Sequence, residues 1–168
     1  DDAYTTDEDV LLSIAAPGVL GNDSDPESDP LTAVWESGPS NGSLTLNADG
    51  SFSYTPDGDF NGLDSFAYFA DDGTLSSVVT ATVTITVTAV VDAPVADDQS
   101  VTTDEDTGVG ITLTASDVDG DSLTYSIVSG PSNGLLSGTA PDVTYTPDVD
   151  FNGSDSFTFQ ANDGGLDS

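Results

Sequence analysis

Residues 79–90 read VTATVTITVTAV. Val79, Ala81, Val83, Ile85, Val87 and Ala89 alternate with Thr80, Thr82, Thr84, Thr86 and Thr88. Successive side chains of a strand point to opposite faces of a sheet, and β-branched residues fit that pleated surface. The stretch therefore predicts one long strand with an apolar face turned to a core and a threonine face turned away. Shorter stretches carry the same signal: 31–35 (LTAVW), 43–46, 51–54, 65–70 and 123–128 (LTYSIV), with further strands expected near 2–6 and 10–14. Turn signals such as Ala48-Asp49-Gly50 and Asn61-Gly62 separate them. No window combines helical periodicity with caps. Short strands at this spacing predict an all-β chain built as a Greek-key, antiparallel, seven-stranded β-sandwich.

The prediction applies twice, because the chain repeats itself. Residues 54–73 read YTPDGDFNGLDSFAYFADDG and residues 145–164 read YTPDVDFNGSDSFTFQANDG, identical at fourteen of twenty positions. TTDED at 5–9 returns at 102–106, and SGPSNG at 37–42 returns at 129–134. The expected organisation is two tandem sandwiches, 1–91 and 92–168, with the boundary where Asp92-Ala93-Pro94 ends the long strand, since proline cannot continue a central ladder. Repeat one carries extra residues at 15–22, read as a surface loop or a short turn of helix. Repeat two contains nothing corresponding to 79–90. Its last strand is expected to be missing, either through truncation or because a neighbouring chain supplies it.

Charge narrows the function classes. The 168 residues hold 31 Asp and Glu, with no Lys, Arg or His, for a formal charge of −31. No carboxylate can be neutralised by an internal cation, so the repulsion must be met by salt or bound metal. Nucleic acid and anionic membrane are excluded as electrostatic partners. The chain has no Cys, so neither disulfides nor thiolate sites can staple these small domains. No apolar run approaches the roughly 20 residues of a membrane span, and the chain reads as an internal segment of a larger, secreted protein.

Two acidic loops recur. Repeat two has Ser116-Asp117-Val118-Asp119-Gly120-Asp121, and repeat one has Ser24-Asp25-Pro26-Glu27-Ser28-Asp29. Alternate carboxylates in a bent loop can turn their oxygens to one point, the arrangement that a hard cation with six to eight oxygen ligands requires. Without His or Cys the donor set selects Ca2+ or Mg2+, and Ca2+ better tolerates many carboxylates in flexible geometry. The plainer alternative is a solvated Asp-Gly turn. The loop is not an EF-hand, since Gly120 stands at position four and Val128 where the closing Glu belongs.

These residues resemble a known family. TASDVDGDSLTYSI at 114–127 is similar to the second and third strands of a cadherin repeat with its DxD calcium loop. FTFQANDGG at 157–165 resembles the cadherin A-x-D-x-G segment, and VVDAP at 90–94 its interdomain linker. With the DED centred on Glu8 and Glu105, the whole chain resembles the bacterial cadherin-like repeats of large secreted and surface proteins. The resemblance implies calcium at the domain junction, held by Glu8, Asp92, Asp117, Asp119 and Asp163. Asp57 or Asp59 would stand where the family has an acidic element that is absent here as such. Val91 replaces the linker Asn, so fewer ions than the family's three are implied. Asp25, Glu27 and Asp72 would serve a preceding domain, and Glu105 a following one.

Trp35, the single tryptophan, matches Ile127 and shares the strand face of Leu123 and Tyr125, which predicts core; a sugar-binding role would require it exposed. Tyr4, Tyr54 and Tyr145 read as partly buried, and Phe60 and Phe151 as plugs at a turn. Catalysis is not expected: no nucleophile has a His base and no cation can stabilise an oxyanion. The expected function is a calcium-binding extracellular module that stiffens a repetitive bacterial surface protein, through contacts with other repeats or homophilic contact. A non-catalytic polysaccharide-binding module and a filament subunit built by strand donation are the alternatives.

Overall fold

The structure is a computed structural model that describes residues 1–77 and 79–168. The backbone divides into two units, Asp1–Val90 and Val91–Ser168. The first contains β1 (Asp2–Asp7), β2 (Leu12–Ile14), β3 (Thr32–Ser37), β4 (Gly42–Leu46), β5 (Phe52–Pro56), β6 (Gly62–Asp71) and β7 (Ala81–Thr88). One sheet has the order β1-β7-β6-β3 and the other β2-β5-β4. β1 runs parallel to β7, and the remaining pairs are antiparallel. This is the seven-stranded sandwich expected from the alternation.

The core follows the periodicity. Val83, Ile85 and Val87 of β7 are buried, whereas Thr82 and Thr88 are exposed and Thr84 and Thr86 half-buried. Phe52 and Tyr54 of β5 face Phe66 and Tyr68 of β6, all buried. Phe52 meets Tyr4 and Phe66 edge-on, with ring centroids 5.1 and 5.2 Å apart. Such aromatic pairs each contribute about 0.5–1.5 kcal/mol beyond their buried area.

Three details refine or correct the sequence reading. Residues 15–22 take the second of the two expected forms, a short helical turn of 3-10 type at Gly18–Asn22, but its Val19 is fully buried rather than at the surface. Gly18 has φ +49°, and a Cβ there would lie 2.1 Å from the Gly50 carbonyl oxygen, which accepts the Val19 N–H at 3.0 Å. Only a bare backbone allows that approach. Secondly, Trp35 is about half exposed, at 49%. It sits on the edge strand β3 at a register shift before Ser37, its ring against Gly38. The bulge turns it partly out of the core, and Ile127 stands at the same kind of shift. Thirdly, Asn61-Gly62 do not form the turn before β6. The turn is closed by the Phe60 N–H on the Asp57 carbonyl at 3.1 Å, with Asp59 at φ +57°.

The second unit contains β8 (Val95–Ala96), β9 (Val109–Thr112), β10 (Ala115–Ser116), β11 (Thr124–Ser129), β12 (Gly134–Thr139), β13 (Asp142–Pro147) and β14 (Thr158–Asn162). They pair as β10-β8, β11-β14 and β12-β13-β9. Ile111, Leu113 and Val143 form its buried centre, with Tyr125, Leu136, Tyr145, Phe157 and Phe159 packed against it. Residues 153–157, the counterpart of the first half of β6, are not a strand. In the first unit that half pairs with β7 from Gly62↔Val87 onward, and a strand exists only through its ladder.

Candidate metal centre

The second unit gathers its acids at one end because two strand pairings end there. Ser116 pairs with Val95 and Thr124 with Asn162. Consequently Asp92 before β8, the loop 117–123 between β10 and β11, and Asp163 after β14 all lie at that pole. One carboxylate oxygen from each of Asp117, Asp119 and Asp121 lies within 4.8 Å of the others. Gly120, at φ +79°, supplies the left-handed step in this loop.

Backbone donors hold these carboxylates in place. Asp117 Oδ1 accepts the Asp121 N–H at 3.1 Å, and Asp119 Oδ2 accepts the Asp92 N–H at 2.9 Å. Asp163 Oδ1 accepts the N–H groups of Gly165 and Leu166, each at 2.6 Å. The Leu166 and Gly165 N–H groups hold the Asp163 carboxyl below its ordinary range, so it stays ionised. Each such bond uses one oxygen only. Oδ2 of Asp117 and Oδ2 of Asp163 are buried and accept no hydrogen bond. A buried anionic oxygen without a donor is costly, and a cation is the partner that removes the cost. The oxygen-only donor set fits Ca2+.

The five residues named first from the sequence divide between the units. Glu8 lies in the first; Asp92, Asp117, Asp119 and Asp163 lie in the second. Glu8 is 3% exposed, and its carboxylate accepts the N–H of Val90 and the Asn61 side-chain amide at 3.5 Å. Beside it Asp9 Oδ1 accepts the Asp59 N–H at 3.4 Å, with Asp9 and Asp59 both in the left-handed region. Asp57 contributes its carbonyl to the turn there. Glu105, the counterpart of Glu8, is exposed, while Asp106 and Asp150 repeat the Asp9–Asp59 contact at 3.1 Å.

Asp25, Glu27 and Asp72 belong to the other pole of the first unit. Asp25 Oδ1 accepts the N–H groups of Glu27 and Asp29, and Asp72 Oδ1 those of Thr74 and Leu75. The donor pattern matches that of Asp117 and Asp163. Among the described residues, these three are not brought within ligand distance as a group, and Glu27 is exposed.

Sequence reasoning placed Asp121 in the acidic loop without counting it among the ligands, and it missed Asp9 and Asp23; Asp23 Oδ2 accepts the Tyr68 hydroxyl at 2.8 Å. It also missed the role of the central aspartate in the repeated phrase. Asp64 is buried and accepts the N–H groups of Ser40, Asn41 and Ser65 and the Tyr54 hydroxyl. Asp155 makes the same four bonds with Ser132, Asn133, Ser156 and Tyr145. The signal was present: SGPSNG and D-S-F recur together, and this bond network links them. Gly42 and Gly134 complete the arrangement, because a Cβ at either would meet the ring of Tyr54 or Tyr145 at 2.6 or 2.5 Å.

Paired β-sheets with carboxylates collected at their poles define the class of cadherin- and immunoglobulin-like sandwich repeats. Residues 1–89 match the family described as bacterial cadherin-like domain, and the chain belongs to that family. Residues 91–168 match the bacterial Ig domain. Such domains are generally non-catalytic. Among solved structures, Drosophila N-cadherin is similar at 18% identity and TM-score 0.53, covering 95% of this chain and 43% of that one. Human protocadherin-24 is similar at 19% identity and TM-score 0.50, covering 84% and 75%. These likenesses concern the fold alone. An endo-fucoidan hydrolase of glycoside hydrolase family 107 aligns at 26% identity and TM-score 0.43, over all of this chain and 27% of that one. The chain thus spans about a quarter of that hydrolase. No curated protein matches the chain.

Proposed function

We propose that the protein is a calcium-binding structural and adhesion module of a repetitive, extracellular bacterial protein, with 1–91 and 92–168 as its repeats. The observation that carries this reading is the pair of buried, donor-free oxygens on Asp117 and Asp163, at the pole where Asp119 and Asp121 also stand. Asp117, Asp119 and Asp163 are the proposed carboxylate ligands, with Asp92 joining them from the linker. A bound Ca2+ supplies charge neutralisation in a chain that has no cation of its own. Held through Asp92, the linker loses freedom where it enters the second repeat, which is how such a module stiffens a larger protein. Millimolar calcium outside the cell suits the weak sites typical of extracellular modules.

The test is a calorimetric Ca2+ titration of the 168-residue chain, with thermal unfolding in calcium and in chelator. Saturable binding with a rise in Tm is expected, since a ligand at 100 times its Kd stabilises the fold by about 2.7 kcal/mol. No binding heat and superimposable melting curves would remove the proposal.

A polysaccharide-binding reading is favoured by one observation, the half-exposed Trp35. A flat indole at the surface is what stacking on a sugar ring needs. Partition of the chain with insoluble polysaccharide, lost in Trp35→Ala and retained in chelator, would support it. If the chain stays in the supernatant, only the structural reading stands.

A further inference from the structure

The pairing of β3 with β6 steps out of register after Trp35: Trp35 stands opposite Tyr68, and Ser37 opposite Ala67. Trp35 and Glu36 therefore share one position of the partner strand, and the strict alternation of faces is broken between them. Both are exposed, on a strand that forms the edge of its sheet. The second unit repeats the irregularity between Ile127 and Ser129, where the matching pair is Ile127 and Val128. The same backbone irregularity thus carries an aromatic ring and a carboxylate in one unit and two aliphatic side chains in the other. Gly38 seats the ring. A Cβ at Gly38 would stand 2.7 Å from Cζ2 and 3.0 Å from Cη2 of Trp35, so the six-membered ring lies directly against the glycine backbone. Gly130 holds the same place in the second repeat and would meet nothing within 4 Å. With that side seated and 49% of the residue exposed, the indole is a platform open to solvent.

We propose, resting on the polysaccharide-binding reading of Trp35, that Trp35 and Glu36 form a subsite for a glycan whose sugar rings carry free amino groups. One sugar ring of the polymer lies across the indole. Its ammonium group is attracted to the π face of the indole and to the Glu36 carboxylate. Among the described residues no other aromatic ring is in contact with Trp35. A cage of several rings is what encloses a lone alkylammonium, whereas a single open indole suits a flat ring. The charge of the whole chain acts in the same direction. With 31 acids and no Lys or Arg, it draws a cationic polymer and repels a uronic or sulfated one. A neutral, N-acetylated polymer stacks but gains nothing from either charge.

Because Trp35 is the only tryptophan, its fluorescence reports this site alone. The test titrates the 168-residue chain with a soluble glucosamine oligomer, with its N-acetylated counterpart and with polylysine of matched charge. A saturable change in emission is expected with the glucosamine oligomer. Binding of the N-acetylated oligomer should be about tenfold weaker, the combined effect of one exposed ion pair and one exposed cation–π contact. Polylysine, which offers no ring to stack, should also bind more weakly. Glu36→Gln should remove most of the preference for the amino form. Gly38→Ala, which pushes the indole off its seat, should weaken both oligomers alike. Equal affinity for polylysine overturns the proposal, because charge alone would then suffice. Equal affinity for the N-acetylated oligomer, or an unchanged preference in Glu36→Gln, also overturns it and leaves the polysaccharide reading intact. No response to either oligomer, by fluorescence or by calorimetry, removes both.

Discussion

Asp64 shows how a carboxylate in this protein can hold the fold without metal. Burial alone would raise its pKa, but the N–H groups of Ser40, Asn41 and Ser65 and the Tyr54 hydroxyl more than offset this and leave it lowered. Its contribution to stability is therefore complete above the unfolded carboxylate value near 4 and is lost as pH falls through the lower folded value. Asp64→Ala strands three backbone donors, and a loss of about 2–4 kcal/mol is expected in urea unfolding at pH 7. Tyr54→Phe removes one bond and is expected to cost about 1 kcal/mol. The difference between the two variants should shrink as pH drops below 4. At alkaline pH the sign reverses in origin. Burial, followed by bonds to Asp64 and to Asp23 respectively, raises Tyr54 and Tyr68 far above the ordinary phenol value. A raised acid contributes stability that is full below about pH 10 and is lost above it. Ultraviolet titration should find these two hydroxyls protonated until the fold opens. The metal candidates are tested at this scale too. Asp163→Asn keeps a side-chain oxygen for Gly165 and Leu166 but removes the charge. It should abolish most of the calcium-dependent rise in Tm while changing the chelated Tm little.

At the scale of elements, β7 decides whether a sandwich closes. Ile85→Ala removes a fully buried side chain from the middle of the β1-β7-β6 ladder. A loss of about 2–5 kcal/mol is expected in denaturant unfolding, against less than about 0.5 kcal/mol for Thr88→Ser on the exposed end of the strand. Most strands were legible in advance because alternation is a local signal. The 79–90 pattern predicts β7 apart from its frayed ends, where Val79 and Ala89 are exposed. Trp35 was not legible. Its position in the alternation points inward, but the bulge after it and its place on an edge strand are set by pairing with β6, where Trp35 stands opposite Tyr68, remote from it in sequence. The buried role of 15–22 was equally hidden, since it depends on Gly18 and Gly50 meeting across the fold.

For the whole molecule the controlling quantity is the charge of −31 with no opposing side chain. In chelator, raising sodium chloride from 0.01 to 0.5 M should raise Tm, because screening shortens the Debye length from roughly 30 Å to a few ångström. In saturating calcium the same salt change should have a smaller effect. A flat salt response in chelator would mean that the carboxylates lie too far apart to repel. Residue types alone specified much of this: an all-β chain, two repeats, oxygen-only ligand chemistry, and no basic surface for nucleic acid. Each of those depends on local periodicity or on composition, which need no knowledge of the folded chain. The tertiary structure decided which acids do what. Asp64 and Asp155 look in sequence like Asp117 and Asp163, yet the first pair is satisfied by backbone N–H groups and hydroxyls while the second keeps a buried oxygen without a donor. That distinction comes from which distant backbone each carboxylate meets, and only long-range strand pairing sets it.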